Sequence, residues 1–315
     1  MPIISFVIVS WNVKEYLENC LSSITLYCQI EHEIIIVDNA STDNSVTYIK
    51  NKFPSVIIIA NKENKGFAKA NNQGFSIAKG EFIFILNPDT LLYQNTVEGL
   101  LNTIRKSDKE NIIAVGPKTY NHDGTIQKTC ARIPNSLSST LLLECFRMYK
   151  IPFIGKFIET KLLYPYSYDK VLSVKAISGS AILIRAQSLK KIGGFYPSYL
   201  HCGEDLELCY RITKIGQLIY TPEAEIIHFG GKSSEQEYDR VTENAILSLH
   251  LYFKRCKNTL YGLIYKIIIL FLGAPLSIII LTFKSILSNK SGQNVLHVQV
   301  QNYIRLFKNP LWHII

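Results

Sequence analysis

A chain of 315 residues with 47% apolar residues and a formal net charge of +9 can bury a full core, as one large α/β domain or two smaller ones. Its seven cysteines (20, 28, 130, 145, 202, 209 and 256) lack CxxC spacing, which speaks against a cysteine metal cluster and for reduced, core-filling thiols in a cytosolic protein. The charge is unevenly placed: 26 Lys and Arg meet 25 Asp and Glu up to Glu243, whereas residues 244–315 hold eight basic residues and no acidic one, a pattern suited to an anionic membrane surface rather than to nucleic acid.

In chain order, "IISFVIVS" (3–10) reads as a buried strand, and 13–26 as a helix with Val13, Tyr16, Leu17, Cys20, Leu21 and Ile24 on one face. The opening "MPIISFVIVSWN" has neither a basic segment nor a small-residue cleavage site, so no secretory leader is expected there. "EIIIVDN" (33–39) is a second strand, "STDNSVTYIKNKF" contains a capped short helix, 56–60 is a third strand and 66–79 a helix. "FIFIL" (82–86), a helix in "NTVEGLLNTIRKS", and "IIAVG" (112–116) complete the series. Such alternation predicts an α/β fold with a mostly parallel sheet and helices on both faces.

Beyond residue 116 the pattern is less regular. "KTYNHDGTIQKTCARIP" (118–134) places an Asp-Gly turn between strand-like pieces, and 136–170 reads as a helix followed by a Tyr- and Pro-rich loop. A strand over 176–186, a helix over 203–216 with an acidic start, and a strand running through 225–234 into a Gly-rich turn follow. The run "IIILFLGAPLSIIILTF" (267–283) is 17 residues long with Gly273-Ala274-Pro275 at its middle. A span needs about 20 apolar residues, so two half-helices in or on the interface fit the proline better. A buried helical hairpin is the competing reading.

In a parallel α/β sheet, ligands bind beyond the carboxyl ends of the strands. Polar tripeptides fall at those ends: Ser10-Trp11-Asn12, Asp38-Asn39-Ala40 and Asn87-Pro88-Asp89. No G-x-G-x-x-G follows the first strand, which excludes a dinucleotide fold, and "GGKSS" (230–234) lacks the first glycine of a Walker A loop because Ile226 stands in its place. What remains is an acidic set: Asp38 and Asp89 at strand ends, Glu204-Asp205 at a helix start, and His228 at a late strand end. Mg²⁺ or Mn²⁺ takes carboxylate oxygens and phosphates, and Mn²⁺ accepts imidazole as well. Each residue also has a plain reading. Asp89 suits a turn, Asp205 a helix N-terminus, and His228 an ordinary strand end.

Taken together, the blocks "IVSWN" (8–12), "IIIVDNASTDNSV" (34–46), "ENKGFAKANNQG" (63–74), "FILNPDT" (84–90), "SGSAILIRA" (178–186), "GGFYPSYLHCGEDLELCYRITKIG" (193–216) and "HFGGKSS" (228–234) resemble the family 2 glycosyltransferases of GT-A (Rossmann-like) fold, especially their bacterial rhamnosyltransferase-like branch. The resemblance runs in the family's order from about residue 3 to 234. It implies that residues 1–243 form the catalytic domain; residues 244–315 lie outside the motif region, and their basic, acid-free, apolar composition marks them as a helical, membrane-associating tail.

By position, the resemblance implies that Asp38 hydrogen-bonds the pyrimidine base of a nucleotide sugar with Ser10 and Asn12 nearby. Lys65, Gly66 and Arg211 are implied neighbours of the sugar or diphosphate. Asn87-Pro88-Asp89 takes the place of the Asp-x-Asp metal motif, so Asp89 would ligate Mg²⁺ or Mn²⁺. Asn87 departs from the motif and supplies no carboxylate, which leaves His228 as a second ligand. Asp205 would be the catalytic base, with Glu204 shaping the acceptor pocket.

The implied reaction is an inverting, single-sugar transfer from a dTDP- or UDP-linked donor, dTDP-rhamnose foremost, to a hydroxyl of a glycan or polyprenyl-linked saccharide at the cytoplasmic face of the membrane. "QNYIR" (301–305) fails the Gln-x-x-Arg-Trp pattern of processive synthases. A non-catalytic sugar- or lipid-binding protein and a nucleotidyltransferase are the rival readings. The latter would want a Gly- and Lys/Arg-rich loop after the first strand. No oligomeric state follows from the sequence.

Overall fold

The computed structural model describes residues 2–106, 111–131, 167–199, 203–230, 241–287 and 290–313. It divides into two units, residues 1–131 with 166–236, and residues 132–165 with 237–315. Expectations for 136–166 and for the turn beyond Gly230 lie outside the described residues.

The first unit is built on β1 (Ile4–Ser10), β2 (His32–Asp38), β3 (Ile57–Ala60) and β4 (Phe82–Leu86), parallel and side by side in the order β3-β2-β1-β4. The crossovers are α1 (Lys14–Tyr27), α2 (Ser45–Lys52) and α3 (Phe67–Ile77). Period-two alternation sorts the strands between two cores. Ile4, Phe6 and Ile8 pack with Leu17, Cys20, Leu21 and Ile24 of α1, whereas Val9, Ile35 and Val37 pack with Ala70 of α3. Both faces are covered, which is why these strands read as continuous apolar runs.

Past β4 the sheet changes direction. The short β5 (Thr90–Leu92) precedes α4 (Thr96–Arg105) and the long β6 (Ile112–Tyr120). The strand expected over 176–186 is broken by a turn. β7 (Cys130–Ala131) pairs with β9 (Ala176–Ile177) in a small second sheet, and β8 (Leu172–Ser173) joins the main one. β10 (Ala181–Arg185) inserts antiparallel between β4 and β6. α5 (Ala186–Ile192) and α6 (Glu204–Ile215) lead into β11 (Gln217–His228), which runs parallel to β6 and antiparallel to β5 and β8. β11 begins at Gln217, well before the strand expected from residue 225.

The second unit contains α7 (Val241–Cys256), α8 (Thr259–Ile268), a π-helical turn at Ile269–Gly273, α9 (Ala274–Leu287), α10 (Lys290–Lys308) and α11 (Pro310–His313). The expected boundary between residues 243 and 244 falls inside α7. There Glu243 is buried and its carboxylate meets Arg305 Nε at 3.3 Å and Asn309 Nδ2 at 3.2 Å.

Proline does not break the apolar run. The backbone stays helical through Ile269 and Ala274, with the Ala274 N–H reaching Ile269 O. The wider turn takes the ladder out of α register just before Pro275, where an amide donor is missing. Residues 259–279 form a helix whose length and mean hydropathy of 2.1 suffice to cross a membrane. Its Gly262, Tyr265, Ile269, Gly273, Ala274 and Ser277 are buried, while Leu260, Leu263, Ile267, Leu270, Phe271 and Ile279 are exposed.

Candidate active site

Parallel register brings the ends of β1 and β2 level, Ser10 beside Asp38. Asp38 is buried, and its Oδ2 accepts the Ser41 N–H at 2.9 Å while Oδ1 accepts the Ser45 hydroxyl at 3.4 Å. The carboxylate therefore organises the entrance to α2 as well as facing the strand edge. Asn12 has φ 52° and stitches the two loops together: its Oδ1 accepts the Thr42 N–H at 2.7 Å, and its own N–H donates to Ser41 Oγ at 2.9 Å. Ser10 Oγ is buried with no protein hydrogen-bond partner.

The loop before α3 is held by amides. Asn39 Oδ1 accepts the Lys65 N–H at 3.2 Å and Asn61 Nδ2 at 3.0 Å, and Asn64 Oδ1 accepts the Gly66 N–H at 2.9 Å. Gly66 sits at φ 79°, a conformation that favours glycine. Asn39, one of the polar residues at the end of β2, thus holds this loop in place.

Asn87-Pro88-Asp89 turns the chain from β4 into β5. The Asn87 N–H donates to Ser180 O at 2.9 Å, and Thr90 Oγ1 donates to Asn87 O at 2.7 Å. β5 then pairs with β11 so that His228 lies opposite Thr90. This pairing puts His228 Nε2 3.3 Å from Asp89 Oδ1, both side chains being buried. Asn87 Nδ2 stands 3.4 Å from the same nitrogen, and Asn87 Oδ1 is buried without a protein partner. His228 Nδ1 is 2.8 Å from Gln127 Oε1.

A carboxylate oxygen and an imidazole nitrogen 3.3 Å apart at one buried point are donors suited to a divalent cation of the Mg²⁺ or Mn²⁺ type, with Asn87 turning its amide nitrogen toward them. The described residues contain no group of three or more His, Cys, Asp or Glu side chains placed to hold a metal. A cation here would be shared with a second partner.

α6 begins with Glu204-Asp205. Asp205 Oδ2 accepts the Gly179 N–H at 2.9 Å, and Oδ1 accepts the Leu206 N–H at 2.8 Å. A Cβ at Gly179 would lie 3.2 Å from Asp205 Cβ, so a glycine keeps this approach close. Glu204 is buried with Oε2 unpartnered. Burial and the adjoining Asp205 charge push Glu204 up to about 8. Burial raises Asp205 too, against the pull of its backbone N–H donors. Gly179 and Ser180 are consecutive, so one short turn links Asp205 to Asn87, and through it to the Asp89–His228 pair.

Arg211 is committed elsewhere. Its guanidinium grips Glu207 (Nη2 to Oε2, 2.6 Å) and donates to Ile192 O at 2.6 Å and Gly194 O at 2.8 Å.

A mixed sheet whose parallel strand ends carry these residues defines the GT-A type of α/β fold. The crystal structure of GalNAc-T7 with UDP, GalNAc and Mn²⁺ matches with a TM-score of 0.55 at 18% identity, covering 81% of this chain and 51% of that one. The mannosyltransferase PcManGT from Pyrobaculum calidifontis, in complex with GDP-Man and Mn²⁺, matches with a TM-score of 0.53 at 14% identity, covering 97% and 87%. The family model for glycosyl transferase family 2 matches residues 5–161. The N-acetylglucosaminyl-diphospho-decaprenol L-rhamnosyltransferase of Mycobacterium tuberculosis (strain ATCC 25618 / H37Rv) is 22% identical over 250 residues, 75% of this chain and 78% of the relative. The chain belongs to glycosyl transferase family 2 and is similar to its rhamnosyltransferases.

Proposed function

We propose that this glycosyltransferase moves a single sugar, with inversion, from a dTDP- or UDP-linked donor to a hydroxyl of a cell-envelope glycan or lipid-linked saccharide. dTDP-rhamnose is the favoured donor, and the site of action is the cytoplasmic face of the membrane. The observation that carries this reading is the convergence of Asp89, His228, Asn87 and Asp205 through the Gly179-Ser180 turn.

Asp38, Ser10 and Asn12 line the strand edge where the base and ribose bind, the unpartnered Ser10 hydroxyl being available to the nucleotide. Lys65 and Gly66 border the sugar and diphosphate. Asp89 and His228 would hold Mg²⁺ or Mn²⁺, whose chemistry there is electrostatic, offsetting charge on the departing diphosphate. Asp205 takes the proton of the acceptor hydroxyl as its oxygen attacks the anomeric carbon from the face opposite the diphosphate, so one displacement inverts that centre. With Glu204 protonated, the adjoining Asp205 can carry the negative charge a base requires.

The relative named for a decaprenol-linked substrate supports a lipid-linked acceptor. The exposed apolar face of residues 259–279, in a tail without acidic residues, supports a membrane surface as partner.

The test is nucleoside diphosphate release from a panel of dTDP- and UDP-sugars by the full-length protein, with Mn²⁺, Mg²⁺ or EDTA, and with membrane lipid extract as acceptor source. Release from one donor that EDTA abolishes and that D89N and D205N lose is the expected result. Release unaffected by EDTA and by D89N would remove the cation from the reading. Absence of both release and donor binding across the panel would remove the transfer itself.

A further inference from the structure

Gln127 lies on the return of the hairpin that follows β6, a place with no apolar periodicity to mark it. The Asn121 N–H bonds Thr125 O at 2.8 Å, Gly124 takes φ 82°, and the Gln127 N–H bonds Thr119 O at 2.9 Å. Its side chain ends a relay whose polarity has one solution. Asp123 Oδ1 only accepts, so the Thr125 hydroxyl donates to it at 2.6 Å. The Thr125 lone pair then accepts Asn121 Nδ2 at 2.9 Å, and Asn121 Oδ1 accepts Gln127 Nε2 at 2.8 Å. That leaves Gln127 Oε1 facing His228 Nδ1 at 2.8 Å, while Nε2 also reaches His228 O at 3.4 Å.

A carbonyl oxygen can only accept, so His228 Nδ1 carries a proton. In the neutral ring Nε2 is then a lone pair, and it points at Asp89 Oδ1, 3.3 Å away. Without the Gln127 acceptor, the opposite tautomer would place an Nε2–H on the Asp89 carboxylate and close the gap with a hydrogen bond. We infer that Gln127 is a positioning residue that holds His228 in its Nδ1–H form, so that Nε2 is the ring nitrogen that presents a lone pair on the Asp89 side, where a divalent cation would bind. The inference rests on the cation reading of Asp89 and His228 proposed above. It adds the residue that selects which nitrogen faces the metal.

The experiment uses the full-length protein at pH 8 with two readouts independent of sugar transfer. Mn²⁺ alone is titrated by electron paramagnetic resonance against wild type, D89N, H228A, Q127L and Q127E. Ring tautomers are read from long-range ¹H–¹⁵N correlations, with H228A assigning the His228 signals. The expectation is a protonated Nδ1 in wild type and Q127E and a bare Nδ1 in Q127L. Mn²⁺ affinity should fall about tenfold in Q127L and be retained in Q127E, which keeps an acceptor.

Mn²⁺ binding lost in D89N and H228A but unchanged in Q127L overturns the role of Gln127 and leaves the cation reading standing. Mn²⁺ binding unaffected by D89N and H228A overturns both. A bare Nδ1 in wild type, or a tautomer that Q127L does not alter, overturns the inference whatever the affinities.

Discussion

Glu204 and Asp205 are adjacent carboxyls at one helix start, and their surroundings separate them. Asp205 accepts two backbone N–H groups, which favour its ionised form, whereas Glu204 is buried with an oxygen that has no donor. D205N is expected to lower kcat by roughly 10²–10⁴-fold, the usual contribution of a positioned base, with thermal stability little changed. Steady-state kinetics beside a melting curve checks this.

Glu204 titrates near 8 in the fold against 4.5 ordinarily, so the native state binds the extra proton. Its contribution to stability is complete below about pH 4.5 and is lost as pH rises toward about 8. E204Q should therefore gain on wild type in melting temperature as pH increases across that window. A constant difference would show that Glu204 is ionised throughout. At this scale the candidate carboxylates were legible, because Asp and Glu at strand ends and helix starts stand out in an apolar context. Gln127 and Gly179 were not, since their partners lie far away along the chain.

Among elements, the contact between α3 and the loop after α5 ties α3 to the approach to α6. Asn72 on α3 bonds Phe195 at both N (2.9 Å) and O (2.7 Å), and Arg211 on α6 bonds the neighbouring Gly194 O. Gly194 stands at φ 68°, and a Cβ there would come 2.5 Å from Asn72 Oδ1. G194A is thus expected to cost at least about 1 kcal/mol from backbone strain alone, readable by denaturant unfolding.

R211A removes the partner of a carboxylate that is 1% exposed, and should destabilise by about 3 kcal/mol. If R211A instead folds with wild-type stability while its donor KM rises, Arg211 belongs to the donor site after all. The first seven elements, β1 to β4 with α1 to α3, were readable from alternation because the strands there lie side by side and are joined by helices, whereas the short β5 was not. The reversal at β10 was not: an apolar pentapeptide carries no mark of whether its neighbours run with it or against it.

For the whole molecule, the charge asymmetry and the apolar helix face lead to one expectation. Full-length protein should float with anionic vesicles, and F271E should reduce the bound fraction several-fold by placing a carboxylate on the exposed face. About 0.5 M NaCl should weaken binding without abolishing it, since salt screens the basic residues but not the apolar contact. Equal flotation of F271E and wild type would move the membrane contact away from residues 259–279.

The sequence by itself determined the doubly covered strands, because residues buried on both faces must be apolar in succession, and the polar strand ends, because solvent or ligand begins where the sheet stops. It determined the acid-free tail as well, charge being a property of composition. The tertiary structure decided which carboxylate meets which nitrogen. His228 reaches Asp89 only because β5 and β11 pair antiparallel, and Asp205 reaches the same rim only because β10 enters between β4 and β6. Register between distant strands is set by the packing of the whole sheet, and no local run of residues encodes it.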